Sequence, residues 1–351
     1  MKIFLNNKQY AFSNKSIKNS SSWNILNLCN VLQIHIPVFC YHEKLNVAGN
    51  CRMCLVEVEK SPKPVVSCAN PVTNMIRVYT ETPLVKKARE NILEMLLINH
   101  PLDCPICDQG GECDLQDNVK DFSIDRNRNF NFMRRQVENK NLGVFVQTIM
   151  TRCIHCTRCV RFIAEWTNDK SLWVLGRGRS MEIGSYIENF VKTEFSANII
   201  DLCPVGALTS KMYSFRGRPW ELTKTKTIDL SDAWGNSIWV YNKGVSHTLN
   251  FKKKQANSHE HDQIVRILPY SINNTNDNWI SDKTRFSFDG LYINRLKTFK
   301  CFGFNNTKQL KKSLFLKNQI DIFKFLNTHQ TQFTINFHQI QANFIRWVQL
   351  N

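Results

Sequence analysis

Residues 152–160 read RCIHCTRCV and residues 201–210 read DLCPVGALTS. The first run spaces Cys153, Cys156 and Cys159 so that three soft ligands surround one point, whereas a tetrahedral zinc or a cubane cluster needs a fourth. The next cysteine, Cys203, comes after 43 intervening residues and is followed by proline. In the C-x2-C-x2-C-x3-C-P pattern the cysteine before proline serves the other cluster of a two-cluster ferredoxin. This stretch has a single three-cysteine run, so Cys203 is expected to close the site of Cys153, Cys156 and Cys159, with 4Fe-4S favoured over zinc. His155 is expected to be a bystander, because four thiolates suffice. Arg152, Arg158 and Arg161 flank the run and could offset its negative charge; the alternative is that some of them are solvated.

The chain has 351 residues and 13 cysteines, 11 of them between positions 40 and 203, mostly in groups that contain two-residue gaps. A disulfide framework would spread its cysteines, and an odd total would leave one unpaired. Two-residue gaps instead aim two thiolates from one tight turn at a single metal centre, which points to metal chemistry in a reducing compartment.

The first group is Cys40, Cys51, Cys54 and Cys68. AGNCRMCLVEVE at 48–59 places Cys51 and Cys54 on a small-residue loop before an alternating strand expected at Leu55 to Glu59. Ala48 and Gly49 leave room for backbone amides to approach sulfur. Ten residues separate Cys40 from Cys51, a longer loop than the plant-type ferredoxin spacing. The ligand set suits an iron-sulfur cluster, with four-cysteine zinc as the alternative.

The second group, Cys104, Cys107 and Cys113 in DCPICDQGGECDLQD, follows a helix expected from Leu84 to Ile98. That helix should bury Leu84, Ala88, Ile92, Met95 and Leu96 and end near His100, which precedes Pro101. The nearest candidate for a fourth donor is His100. The open alternative is a capping or core histidine, since Asp103 and Asp114 are harder ligands, less suited to a soft cluster.

The net charge of +17 invites a nucleic-acid reading. The lysines are scattered, however, and Lys252 to Lys254 and Lys311-Lys312 are short runs; the excess fits docking to acidic partner subunits. No apolar run reaches a membrane span. MKIFLNNKQYAF reads as a hairpin turning at Asn6-Asn7 rather than as a signal peptide or presequence, so the chain is expected to work where it is made. GRGRS at 176–180 is expected to be a turn, and no acid-base pair, activated nucleophile, nicotinamide or flavin fingerprint stands out.

The succession C-x10-C-x2-C-x13-C, H-x3-C-x2-C-x5-C and C-x2-C-x2-C with a distant Cys-Pro-Val-Gly-Ala-Leu resembles the large iron-sulfur subunit family of respiratory complex I, the NuoG type. HPLDCPICDQGGECDLQD at 100–117, RGRPWELTKTKTIDLSDAWG at 216–235 and RILPYSINNTNDNWISDKTRFSFDGL at 266–291 carry the same resemblance, which covers roughly residues 1–300. It implies a 2Fe-2S cluster on Cys40, Cys51, Cys54 and Cys68. It also implies one 4Fe-4S cluster on His100, Cys104, Cys107 and Cys113 and another on Cys153, Cys156, Cys159 and Cys203. Cys29 and Cys301 are left as structural thiols. Some bacterial members carry an additional cluster, which is not expected here because no cysteine lies between 204 and 300.

The implied fold is α+β and multidomain. It comprises a β-grasp 2Fe-2S domain (1–80), a helical His/Cys 4Fe-4S module (81–125), an α/β ferredoxin-like 4Fe-4S module (126–216) with a strand at Leu172 to Leu175, and the β-rich start of a molybdopterin-oxidoreductase-type domain (217–300). The tail (301–351) is unassigned. The resemblance implies an electron relay from a flavin-bearing NADH-oxidising subunit to quinone-side iron-sulfur subunits, with no substrate site of its own. The expected location is the matrix side of the mitochondrial inner membrane, with mitochondrial encoding and membrane association only through the complex; a bacterial cytoplasmic face is the alternative. The rest of the family's usual length is expected on a separate chain or to be absent. Alternative readings are an electron-transfer subunit of an NAD-linked hydrogenase or formate dehydrogenase, a zinc-stabilised binding protein, and an assembly scaffold with degenerate sites.

Overall fold

The structure is a computed structural model that describes residues 2–12, 23–126, 128–130, 133–185, 190–232, 235–243, 263–270, 278–291, 299–300 and 315–316. Cys301 and nearly all of the tail lie outside the described residues. The chain forms two compact units, one comprising residues 1–228 and 236–285 and the other residues 229–235 and 286–351. In the second, Asp229 accepts hydrogen bonds from the Ser231 amide and hydroxyl.

The first unit begins with the expected hairpin. Strands β1 (Lys2–Leu5) and β2 (Lys8–Ala11) pair antiparallel, with Ile3 opposite Tyr10. Asn6 and Asn7 turn the chain at φ 48° and 66°, a conformation that asparagine tolerates better than most residues. Helix α1 (Ile25–Val31) starts where the Asn24 side chain accepts the Asn27 amide at 2.8 Å. Strands β3 (Leu55–Val58), β4 (Val65–Val66) and β5 (Arg77–Tyr79) complete a five-stranded sheet of order β2-β1-β5-β3-β4, in which β1 and β5 run parallel. Leu5, Ile25, Leu26, Val56 and Val78 form its core together with Cys29, Cys54 and Cys68. Cys29 is fully buried there, and burial raises its thiol pKa to about 11, as befits a structural, unreactive residue.

Helix α2 (Pro83–Asn99) is capped by Thr82, with Pro83 at its first turn, and ends at His100, whose ψ of 127° is the extended geometry favoured before Pro101. Its buried face matches the expected one in part: Ile92 and Leu96 pack against the core, but Leu84 and Met95 are exposed, while Val85, Arg89 and Leu93 are buried. The stripe is rotated by one residue because an arginine occupies its centre. Arg89 donates to the Leu55 carbonyl at 3.0 Å and lies over the Phe122 ring at 5.5 Å. Its aliphatic stem and planar head thereby do the work of an apolar residue. Arg89→Ala is expected to destabilise the chain by about 3 kcal/mol, through the lost packing and the orphaned carbonyl, as read from the urea midpoint at constant m-value.

Helix α3 (Asp114–Phe122) packs against α2 and follows the Cys104–Ile106 turn. Strands β6 (Val146–Thr148) and β9 (Leu208–Ser210) pair antiparallel and bracket helices α4 (Arg158–Trp166) and α5 (Asn198–Leu202). The expected strand at 172–175 is β7 (Trp173–Leu175), paired with β8 (Glu182–Gly184) across a turn containing Gly178–Ser180. Strands β10 (Thr223–Ile228), β11 (Ser237–Lys243) and β12 (Gln263–Pro269) make an antiparallel meander, in which β11 and β12 carry the alternating SIWVYN and IVRIL segments. One core runs from Phe39 and Met53 through Leu93, Leu115, Phe162 and Leu202 to Trp279. No helix among the described residues is long and apolar enough to cross a membrane.

Candidate iron-sulfur sites

Cys51 and Cys54 occupy the loop before β3, Cys40 lies on the segment after α1, and Cys68 follows β4. Gly49 and Arg52 turn that loop at φ 60° and 62°, and the Cys40 amide points at the Cys51 sulfur at 3.4 Å. Helix α1 steadies the set from behind, with Asn24 donating to the Cys68 carbonyl at 2.8 Å and Tyr41 to the Asn27 side chain at 2.6 Å. Hydrogen bonds from the Cys51 and Cys68 thiols hold Cys40 well below the usual thiol range. The same contacts push Cys51 and Cys68 upward. Four sulfurs this close cannot ionise together without a positive centre, so the donor set fits a cluster core.

His100 stands at the end of α2, and Cys113 stands immediately before α3. With Cys104, Cys107, Arg152 and Gly206 they line one cavity of about 150 Å³. Burial, reinforced by Arg152, lowers the His100 pKa, which favours the neutral ligating imidazole. Burial raises Cys113 to about 11 against the amides of Gln116 and Leu115, which favour its thiolate. Cys104 is exposed, whereas Cys107 and Cys113 are buried.

Cys153 ends the Met150–Arg152 turn, Cys159 lies in the first turn of α4, and Cys203 ends α5. With Cys156 they line a cavity of about 20 Å³ whose other walls include Met150, Ile183, Val205 and Leu208. Burial pushes Cys153, Cys156 and Cys203 up to about 12, opposed at Cys203 by the amides of Val205, Leu208 and Ala207. Thus Cys203, 44 positions beyond Cys159, lines the same cavity as the three-cysteine run, as its Cys-Pro context leads one to expect. His155 does not line this cavity; its amide donates to the Cys153 sulfur at 3.4 Å, and its ring meets Arg135.

In the second and third sets the donors encircle a void. Among the described residues no three His, Cys, Asp or Glu side chains converge as a single-ion site would require. Thiolate and imidazole are ligands that iron-sulfur clusters take.

The flanking arginines are tied down rather than solvated. Arg152 is 3% exposed and pairs with Asp103 at 3.1 Å, so Asp103 is a counter-ion. Arg158 is buried, and Arg161 donates to the Cys40, Asn46 and Cys156 carbonyls. Three supporting residues escaped sequence reading. Arg218 donates to the Cys104, Pro105 and Cys107 carbonyls. Arg266 grips Glu112 with two hydrogen bonds of 2.6 and 2.8 Å while lying between the Tyr213 and Tyr241 rings. A Cβ on Gly206 would collide with the Cys107 sulfur. All three lie within stretches that carry the resemblance, but nothing local marks their roles; Arg218 and Arg266 act across more than 100 residues of sequence.

Four family models match: a 2Fe-2S iron-sulfur cluster binding domain at 13–83, the NADH-ubiquinone oxidoreductase-G iron-sulfur binding region at 89–128, the ferredoxin-like domain of NADH-quinone oxidoreductase subunit 3 at 143–209, and an NDSU1/NuoG-like 4Fe-4S domain at 257–289. The last match contains no cysteine. The NADH-ubiquinone oxidoreductase 75 kDa subunit of Reclinomonas americana is 56% identical over 272 residues, which are 78% of this chain and 37% of that protein. The mitochondrial iron-sulfur protein 1 of NADH dehydrogenase (ubiquinone) from Solanum tuberosum is 51% identical over 80% of this chain and 36% of its own length. The mitochondrial NADH-ubiquinone oxidoreductase 78 kDa subunit of Candida albicans is 50% identical over 81% of this chain and 37% of its own length. The chain therefore spans little more than a third of the curated relatives it matches. The crystal structure of an NAD+-reducing NiFe hydrogenase in its H2-reduced state covers 62% of this chain and 89% of the matched chain, at 24% identity and a TM-score of 0.54, a likeness of fold alone. With cysteine sets, family models and relatives in agreement, the chain belongs to the large iron-sulfur subunit family of NADH-ubiquinone oxidoreductase, the 75 kDa or NuoG type.

Proposed function

We propose that the chain is the iron-sulfur relay portion of a respiratory NADH:ubiquinone oxidoreductase. It takes electrons from a flavin-bearing NADH-oxidising subunit and delivers them to quinone-side iron-sulfur subunits. The observation that carries this reading is the gathering of three separate four-donor sets into one compact unit. Cys40, Cys51, Cys54 and Cys68 would hold a 2Fe-2S cluster in a β-grasp domain, supported by the five-stranded mixed sheet. His100, Cys104, Cys107 and Cys113 would hold one 4Fe-4S cluster, and Cys153, Cys156, Cys159 and Cys203 another. The clusters, when bound, supply one-electron redox chemistry. The residues of the chain orient the ligands, shield them from water and aim amides and guanidinium groups at them.

The relatives' mitochondrial names support residence in a mitochondrial peripheral arm, on the matrix side of the inner membrane. The β10–β12 meander supports the start of a molybdopterin-oxidoreductase-type domain.

Iron, zinc and acid-labile sulfide per chain, measured after anaerobic purification, test the reading. About ten irons with matching sulfide are expected, with distinct 2Fe-2S and 4Fe-4S EPR signals on reduction. About three zincs without sulfide would instead identify a structural zinc protein.

A further inference from the structure

Arg158 lies between two ligand candidates of one set, Cys156 and Cys159, and is 8% exposed. Its guanidinium donates to the Tyr41 carbonyl at 2.9 Å, one residue beyond Cys40. It reaches the Leu202 carbonyl at 3.4 Å, one residue before Cys203, and the Asp114 carboxylate at 3.5 Å, one residue beyond Cys113. A single buried cation thus touches a direct neighbour of a ligand in each of the three sets. Its Nε is buried without a hydrogen-bond partner. Arg161 is a natural comparison, because among the described residues it donates to the Cys40 and Cys156 carbonyls but to no neighbour of the His100 set.

The geometry points to Arg158 as the positioning residue that locks the three cluster segments to one another and, through its fixed positive charge, raises the readiness of all three clusters to accept an electron. This inference rests on the relay reading above. Reduction adds one negative charge to a cluster, and a nearby cation in a low-dielectric interior stabilises that charge. Asp114 partly offsets this cation, and as its side chain is 46% exposed it is the weaker of the two fields.

The test is an EPR-monitored redox titration of the full chain loaded anaerobically with iron and sulfide. Arg158→Gln is expected to lower the reduced-to-oxidised ratio about tenfold at fixed ambient potential for all three clusters, or about 59 mV per one-electron couple. Arg161→Gln should move the couples of the Cys40 and Cys153 sets and leave the His100 set in place. Asp114→Asn should move the His100 set in the opposite direction, and it decides the matter if Arg158→Gln fails to load. Fully loaded variants whose couples stay put, or an Arg158→Gln shift confined to one cluster, overturn the Arg158 assignment and leave the relay standing. An unsubstituted chain that binds zinc in place of iron and sulfide defeats the relay reading itself.

Discussion

Gly206→Ala is expected to strip about four irons from the chain and leave about six, because it destroys the His100 site and spares the other two. Gly206 follows the third set's Cys203 in Cys-Pro-Val-Gly, yet it forms a wall of the second cavity. A Cβ there would collide with the Cys107 sulfur and stand 3.2 Å from the Gln109 Cβ. Neither neighbour can give way cheaply, because Cys107 must keep its sulfur aimed into the cavity and its carbonyl is held by Arg218. Iron analysis and EPR read the result: the signal of the His100 cluster should vanish while those of the Cys40 and Cys153 sets persist. A Gly206→Ala chain that retains about ten irons would show that the segment moves aside, and the close packing of the two cavities would lose its meaning.

The same pair of cavities shows why some of this molecule was legible in its sequence and some was not. Metal ligands have to be close in space, and loops achieve this through short gaps, so Cys51 with Cys54, Cys104 with Cys107, and the 153–159 run announce themselves. Proline after Cys203 marked the distant partner. The ends of α2 were legible at His100-Pro101 because proline restricts the residue before it. The face of α2 was not, because the apolar count passed over Arg89, which is 3% exposed and meets a carbonyl and an aromatic ring that arrive from far away. Gly206 and Arg158 are instances of the same kind. Their partners, Cys107 for the one and Tyr41 and Asp114 for the other, are brought near by the fold, and periodicity carries no trace of them.

Stripped of iron and sulfide, the chain is expected to lose stability steeply as pH rises from about 9 towards 12, a slope that should be much shallower in the loaded chain. Cys203, Cys159 and Cys113 belong to the shared core, with Cys153 packed against it. In the folded metal-free chain, burial raises Cys153, Cys156 and Cys203 from the ordinary 9.0 to about 12. Their contribution is fully present below 9, where folded and unfolded thiols are all protonated. Above 9 the unfolded chain releases protons that the folded chain keeps, so alkali favours unfolding until the folded thiols also ionise. Each unit by which one thiol is shifted corresponds to about 1.4 kcal/mol, so three thiols together outweigh a typical point mutation. Cys40 and Cys54 are shifted downward by hydrogen bonds from neighbouring thiols, and they act at lower pH in the opposite sense: their stabilisation is lost as pH falls through their folded values. In the loaded chain the ligand cysteines are already thiolates, and of these groups only the non-ligand Cys29, raised to about 11, keeps its share of the slope. Urea midpoints of the metal-free chain at about pH 8 and about pH 11 measure the slope, and Cys203→Ala, which removes one of the titrating thiols, should flatten it. A metal-free chain equally stable at both values would mean that these cysteines ionise freely when folded. The apolar enclosure assigned to the Cys153 set would then be wrong.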